Sequence, residues 1–299
     1  METAITLTTD LTEQAKKVFE SLDVSESTRK VYQSNIPYFM SFTDTEGLHH
    51  NTFLHYKQFL ASQTDISIST KDSRLNAARI LLKELNRQGH LPVDITQNVK
   101  SFKRNKAHKR EGLSNNDMTI LSKALKQLSS TPSNTRIKAI ISLLALQGLR
   151  QIEITRLEVS DINFIDNTLL VRGKGQDDKE AVDLHPETVK NLKEYLSSNE
   201  IADGYLFISD SNNSKGSPLT TRSVRRMVKD LFEELKIDRF VHGFRHWFTT
   251  ELIKSYKGDV LMVQQYTRHK SLEMLQVYND NVKKKSDLPK YYETFQVSF

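Results

Sequence analysis

The stretch His242-Gly-Phe-Arg245-His246 tells more about this chain than any other part of its sequence. It is followed by the pair Arg268-His269 and, nine residues after that histidine, by Tyr278. Upstream, Gly148-Leu-Arg150 contributes a second arginine, and Gly173-Lys174-Gly175 contributes a lysine at a turn between two predicted strands. Arginines, histidines, a lysine and a tyrosine thus follow one another in a defined order.

These residue types together suit attack on a phosphodiester without a metal ion. An arginine guanidinium is a planar set of donors that binds two phosphate oxygens at once. A tyrosine hydroxyl can form a covalent ester with phosphorus and so divide one slow step into two easier ones. Each residue taken singly has an ordinary explanation as a helix cap, a turn or a core side chain. Their order and spacing together favour the catalytic interpretation.

The composition narrows the class of protein. The 299 residues suffice for two domains, and the net charge is +6, with 43 Lys and Arg against 37 Asp and Glu. The absence of cysteine excludes disulfides, thiolate chemistry and cysteine-based zinc sites. No run approaches the roughly 18 apolar residues of a membrane span, and the first residues lack the pattern of a signal peptide. We therefore expect a cytoplasmic protein without a membrane segment.

Apolar periodicity predicts a small all-α domain over residues 1–104. The capping box Asp10-Leu-Thr-Glu13 opens its first helix, and Gly89 ends its last. Pro37 is expected to kink or end the second helix. The four helices are predicted near residues 10–22, 25–39, 52–62 and 70–88, with Phe59 of the third facing inward.

Residues 113–299 are predicted to be mostly helical with a small antiparallel sheet. Its two strands are expected at Thr168-Leu-Leu-Val171 and Lys179–Leu184, joined by a turn-rich segment. Ser114 is the expected cap of the first helix, and Pro186 the start of another. Helices are also predicted around residues 137–144, 224–235, 244–253, 260–266 and 271–278. The fold class is therefore mainly α with a small antiparallel sheet.

A basic linker, residues 105–112, is expected to join the two domains. Between Lys100 and Arg110, six of eleven residues are basic and none is acidic. Such a run is either a solvated linker or a segment that follows a phosphate backbone.

The motifs resemble those of the tyrosine recombinase (phage integrase) family, whose order is arginine, lysine, His-x-x-Arg, histidine or tryptophan, and tyrosine. Arg150 with Glu153 is similar to its first box, and Lys174 to its hairpin lysine. The stretch His242–His246 is similar to the second box, and His269 with Tyr278 to the last. The N-terminal helices are similar to the family's four-helix core-binding domain, and the layout is nearest to the compact Xer-like members.

Two positions depart from the family pattern. Thr267-Arg268-His269 stands where the family usually has Leu-Gly-His, so the approach to that histidine carries an extra charge. Gln151 follows the first arginine in place of a small or apolar residue.

The resemblance implies a site-specific DNA recombinase that forms a 3′-phosphotyrosyl intermediate and a Holliday junction, without cofactor or metal. Tyr278 would be the nucleophile, and Arg150 and Arg245 would stabilise charge at phosphorus. Lys174 would protonate the leaving 5′ oxygen. His242 is the expected proton acceptor from tyrosine, and His269 would bind the phosphate or orient its neighbours. Supporting roles are expected for Glu153 and His246.

The implied partners are duplex DNA with an inverted-repeat recombination site and three further copies of the chain, with accessory proteins possible. Backbone contacts are expected from Lys100, Lys103, Arg104 and Lys106. Arg222, Arg225 and Arg226 either read bases in the major groove or form a solvent-facing stripe. The apolar tail Tyr291–Phe299 either docks on its own subunit or inserts into a neighbouring protomer.

Two other functions fit part of this pattern. A type IB topoisomerase would use similar residues to relax DNA, but the four-helix N-terminal domain and the compact length argue against it. A non-cleaving DNA-binding accessory factor would not need Lys174 and Tyr278 together. The recombinase interpretation is therefore preferred.

Overall fold

The computed structural model describes residues 11–103, 112–173, 175 and 178–294. The chain divides into two compact units, Met1–Lys106 and Ala107–Phe299. The described residues are mostly helical, with one three-stranded antiparallel sheet, so the predicted fold class is confirmed. No helix of the described ranges combines the length and the apolarity needed to cross a bilayer.

The first unit contains four described helices. Ser25 and Ser67 cap the second and fourth, because their hydroxyls accept the backbone N–H of Thr28 and Thr70. Apolar side chains of all four helices form one core. The helices are α1 (Leu11–Ser21), α2 (Glu26–Glu46), α3 (Thr52–Ser62) and α4 (Ile68–Arg87).

Of the two outcomes expected at Pro37, a kink or an end of the helix, the structure excludes the end, and one further prediction for this unit is wrong. Helix α2 continues through Pro37 to Glu46, so the proline does not mark its end. Pro37 is exposed, while Ile36 and Phe39 on the same helix are buried in the core. Phe59 was expected to face inward but is 42% exposed. The buried side chains of α3 therefore follow a narrower stripe than the sequence pattern suggests.

The second unit surrounds a core that runs from Leu113 to Phe244. Ser114 and Asp117 form a reciprocal capping box at its first helix, as expected from the sequence. Its helices are α5 (Asn115–Gln127), α6 (Pro132–Leu146), α7 (Gln151–Ile154), α8 (Pro186–Ser198), α9 (Thr221–Glu234), α10 (Gly243–Ser255), α11 (Val260–Thr267) and α12 (Leu272–Thr294).

The sheet has the order β1-β2-β3, with β1 at Ile162–Asn163, β2 at Thr168–Arg172 and β3 at Lys179–Asp183. The hairpin β2–β3 was predicted, and Leu169 and Val171 on β2 bury one face. Strand β1 was missed because two residues are too few to show an alternating pattern.

Helix α12 is much longer than the sequence indicates. It was expected to end near Tyr278 but runs to Thr294 and includes Pro289. Tyr291 and Tyr292, near its end, are 56% and 64% exposed. These two tyrosines are therefore not buried against the described part of their own chain.

Gly148, which lies between the end of α6 and Arg150, packs closely against Phe248. Its φ is +59°, and a Cβ added there would lie 2.3 Å from Cδ1 of Phe248 on α10. Gly204 has a similar φ of +73°, but an added Cβ meets nothing within 4 Å. An alanine at either position is strained by the positive φ, but only an alanine at Gly148 also overlaps a neighbouring side chain.

We predict that Gly148→Ala lowers the free energy of unfolding of the second unit by roughly 2–5 kcal/mol, from left-handed strain plus overpacking. Gly204→Ala should lower it by only about 1–2 kcal/mol, from strain alone. Urea unfolding followed by fluorescence of Trp247, the single tryptophan of the sequence, reports on this unit. Equal losses in the two variants would show that Phe248 moves aside and that the close approach does not matter.

Candidate active site

Arg245 is a deeply buried charged group of the site. It lies in the first turn of α10 and is 2% exposed. Its guanidinium donates to the carbonyl of Gly148 at 2.7 Å and to the carbonyl of Thr267 at the end of α11. Burial, then the charge of neighbouring Arg150, lowers its pKa to about 9, so it stays protonated at neutral pH. Arg245 thus joins the three segments that carry the predicted arginine and histidine motifs.

Glu153 is a carboxylate buried beside these arginines. Its Oε2 accepts the backbone N–H of Arg150 at 2.7 Å, and its Oε1 accepts Nη1 of Arg150 at 2.8 Å. Nη2 of Arg268 donates to Oε2 at 3.0 Å. Burial alone would raise the pKa of Glu153, but the charge of Arg268 and the hydrogen bonds from Arg150 outweigh it and lower that pKa. The carboxylate is therefore ionised and held from both sides.

Tyr278 is fixed by packing and by a hydrogen bond. Its ring lies in a small apolar cluster with Ile253, Val263 and Leu275, contributed by α10, α11 and α12. Its hydroxyl is hydrogen-bonded to Nδ1 of His246. Burial raises the pKa of Tyr278 to about 12, an effect partly offset by Arg245. The hydroxyl is therefore protonated at neutral pH, and a base must take its proton before the oxygen can attack.

His269 and His242 complete the group. Burial, then the charges of Arg245 and Arg150, lowers the pKa of His269 to about 3, so it is neutral at physiological pH. Its ring centroid lies 6.1 Å from that of Tyr278. The His242 ring meets the His246 ring edge-on at 4.8 Å. His269 can therefore serve as a hydrogen-bonding group but not as a cation.

An open pocket of about 850 Å³ connects these groups. Its lining includes the guanidinium groups of Arg150, Arg245 and Arg268, the three histidines and Tyr278. Two carboxylates, those of Glu153 and Glu180, also line it. Positive charge therefore exceeds negative charge, and the donor-rich arginines suit an anion.

The β2–β3 hairpin borders this pocket. Gly173, at the end of β2, lines it directly. Lys270 Nζ donates to the carbonyl of Gly175 at 3.4 Å, so the hairpin turn lies against the loop between α11 and α12. Lys174, between these glycines, lies outside the described residues, as do Arg104 and Lys106 of the basic run.

The other residues expected to contact DNA do not line this pocket. Lys100 and Lys103 are exposed in the first unit. Arg222, Arg225 and Arg226 are exposed on α9, where Arg226 lies 3.8 Å from Asp230. The exposed face of α9 is basic only in its first half, because Asp230, Glu233 and Glu234 are exposed further along the helix. The buried face packs through Val224, Val228 and Phe232.

Three residues of the first unit are of the types that bind metal ions. Ligand atoms of Glu46, His49 and His55 all lie within 4.8 Å of one another. Nδ1 of His49 accepts the backbone N–H of Asn51 at 3.3 Å, which leaves the ring proton on Nε2 and opposes metal binding there. None of these residues belongs to the arginine-lined pocket.

Sequence reasoning underestimated two residues. His246 was expected only to support the site, yet it contacts the Tyr278 hydroxyl directly. Arg268 was noted only as an extra charge, yet its side chain is 5% exposed and paired with Glu153. The signal for both was adjacency to a motif residue, since each directly follows or precedes a predicted catalytic side chain in the sequence.

Comparison with known proteins agrees with this arrangement. The model of the phage integrase family matches residues 111–285. A tyrosine recombinase of Agathobacter rectalis is 33% identical over 163 residues, which span 51% of this chain and 52% of that protein, about half of its length. The XerC tyrosine recombinase of Oceanobacillus iheyensis is 26% identical over 278 residues, or 86% of each chain.

The fold is also found in solved structures. The crystal structure of a XerH site-specific recombinase bound to a palindromic difH substrate superposes with a TM-score of 0.71 at 20% identity. The match covers 94% of this chain and 84% of that one. Since the family model covers more than half of the sequence, the chain belongs to the phage integrase family, the tyrosine recombinases.

Proposed function

We propose that this chain cleaves and rejoins duplex DNA at a specific site through a 3′-phosphotyrosyl intermediate. The observation that carries the proposal is the Tyr278 hydroxyl, hydrogen-bonded to a histidine and held at an arginine-lined pocket. A covalent tyrosyl ester conserves the energy of the broken phosphodiester, so rejoining needs no external energy source.

Arg150 and Arg245 would bind the non-bridging oxygens of the scissile phosphate. Donors fixed in advance at the place where charge develops stabilise the transition state most effectively. Arg245 is fixed by two carbonyls and Arg150 by Glu153, so neither needs to reorganise during the reaction. His269, neutral at working pH, would add a hydrogen bond to the phosphate or to its neighbours. The arginines take the part that metal ions play in other phosphoryl-transfer sites.

His246 is the proton acceptor that the geometry favours. It is already hydrogen-bonded through Nδ1 to the hydroxyl that must lose its proton. The sequence motif alone favoured His242, which lies beside the His246 ring. His242 would then bind the phosphate or stabilise the protonated form of His246. We therefore assign the role of proton acceptor to His246, one helical turn after His242, which the sequence motif favoured.

Lys174 would be the general acid for the departing 5′ oxygen. An alkoxide is a poor leaving group unless a proton arrives as the bond breaks. Support comes from the neighbours of Lys174, because Gly173 lines the pocket and Gly175 accepts a hydrogen bond from Lys270.

The wider reaction would involve a four-copy assembly on an inverted-repeat site, with strand exchange through a Holliday junction. The first unit would be the core-binding domain, and the basic linker would follow the DNA backbone between the domains. The exposed Tyr291 and Tyr292 support insertion of the C-terminal tail into a neighbouring protomer.

We predict that Tyr278→Phe abolishes covalent attachment to DNA and leaves DNA binding unchanged, because only the attacking oxygen is removed. The probe is a duplex selected by binding from a random library and nicked next to the cleaved phosphate, so that the adduct accumulates. Denaturing gels measure the adduct, and Tyr266→Phe on α11 is the matched control. An adduct of normal yield in the Tyr278→Phe variant would assign the attack to another residue.

We also predict that His246→Ala slows cleavage by about 100-fold or more, whereas His242→Ala slows it less. In His246→Ala, attack would depend on the ionised fraction of Tyr278, whose pKa is about 12. The cleavage rate of this variant should therefore rise about tenfold per pH unit across the neutral range. Single-turnover rates between pH 6 and pH 9 measure both effects. If His246→Ala keeps the wild-type rate and pH profile, His246 is not the proton acceptor.

A further inference from the structure

Arg268 occupies an unusual backbone position. It caps α11 with φ +54° and ψ +40°, a left-handed conformation that glycine adopts without steric strain and arginine does not. Its side chain is nevertheless 5% exposed, although arginine is among the residues least often buried. A strained backbone and a buried charge at one residue indicate that the side chain has a task there.

That task is visible in its contacts. The Arg268 guanidinium donates to Oε2 of Glu153, while Arg150 donates to Oε1 of the same carboxylate. The two arginines differ in exposure, since the Arg150 side chain is 27% exposed and the Arg268 side chain 5%. Both arginines line the pocket, but Arg150 is the more exposed of the two, and Arg268 is buried against Oε2 of the shared carboxylate.

We propose that Arg268 is a positioning residue for Arg150, which it orients toward the scissile phosphate by clamping the shared carboxylate of Glu153. The inference rests on the proposed function of the pocket. Without Arg268, the carboxylate would be held from one side only and could turn with the Arg150 guanidinium. Arg150 would then lose orientation rather than charge.

The pH dependence of cleavage separates this role from a purely structural one. The charged groups that face Glu153 are Arg150 on its own helix, Arg245 on α10 and Arg268 at the end of α11. Burial raises the pKa of Glu153, and Arg268 is the largest cause that lowers it. Removal of Arg268 therefore raises this pKa, so protonation of the carboxylate begins at a higher pH than in wild type.

Arg268→Gly is a favourable test variant, because glycine relieves the strain and the fold should persist. We expect its single-turnover cleavage rate at pH 8 to fall between about tenfold and about 100-fold. Its affinity for DNA should change less than about twofold, since the Arg268 side chain is only 5% exposed and its charge is paired with Glu153. Its rate should also fall more steeply than that of wild type as the pH is lowered from 8. Arg268→Lys, which keeps the charge, should recover part of the loss.

Lys236→Gly is the matched control. Lys236 also has a positive φ of +56° and is exposed away from the pocket, so the same change should leave cleavage at the wild-type rate. The same nicked duplex serves all variants, and an adduct with wild type shows that the proposed function holds. Once the wild-type adduct has been obtained, wild-type rates in Arg268→Gly, or a loss that is equal at every pH at which wild type cleaves, overturn the inference. The double variant Arg268→Gly with Glu153→Gln gives a further test. If its loss in cleavage rate equals the product of the two single losses, Arg268 acts independently of Glu153 and the inference is overturned.

Discussion

The guanidinium of Arg245 is the constraint on which the site depends. It is buried in α10 and donates to the carbonyl of Gly148, just after α6, and to that of Thr267, the last residue of α11. If these hydrogen bonds were not made, the buried guanidinium and the two carbonyls would be left without polar partners, which costs free energy. One side chain thereby fixes the distance between the segments that carry Arg150 and His269. The same residue supplies positive charge to the pocket, so the fold of the site and its electrostatics have a common origin.

Burial decides which side chains of the pocket are protonated. It keeps Tyr278 protonated and His269 neutral, while Arg245 remains charged because burial lowers its pKa only to about 9. The resting site therefore offers cationic donors for a phosphate but no ionised nucleophile. In the proposed mechanism, the hydrogen bond between Tyr278 and His246 is the path by which the tyrosine loses its proton. A cationic pocket with a protonated tyrosine suits an enzyme that cleaves the DNA backbone only when its substrate is bound.

The fold class and the family were predictable from the sequence, since long amphipathic helices and ordered motifs leave strong local signals. Helix α12 was underestimated because the polar residues after Tyr278 carry no apolar stripe. The roles of His246 and Arg268 depend on contacts between α10, α7, α11 and α12, which no local pattern encodes. The left-handed backbone at Arg268 is equally invisible, because arginine rarely adopts it.

The central claim is that arginines supply charge while Lys174 supplies a proton to the leaving oxygen. A substrate with sulfur in place of the 5′-bridging oxygen tests it, because a thiolate leaves without protonation. The account predicts that this substrate restores most of the cleavage rate to Lys174→Ala. It should restore little to Arg150→Ala, whose loss of charge stabilisation amounts to about 100-fold or more. Equal rescue of the two variants would contradict the division of labour on which the account rests.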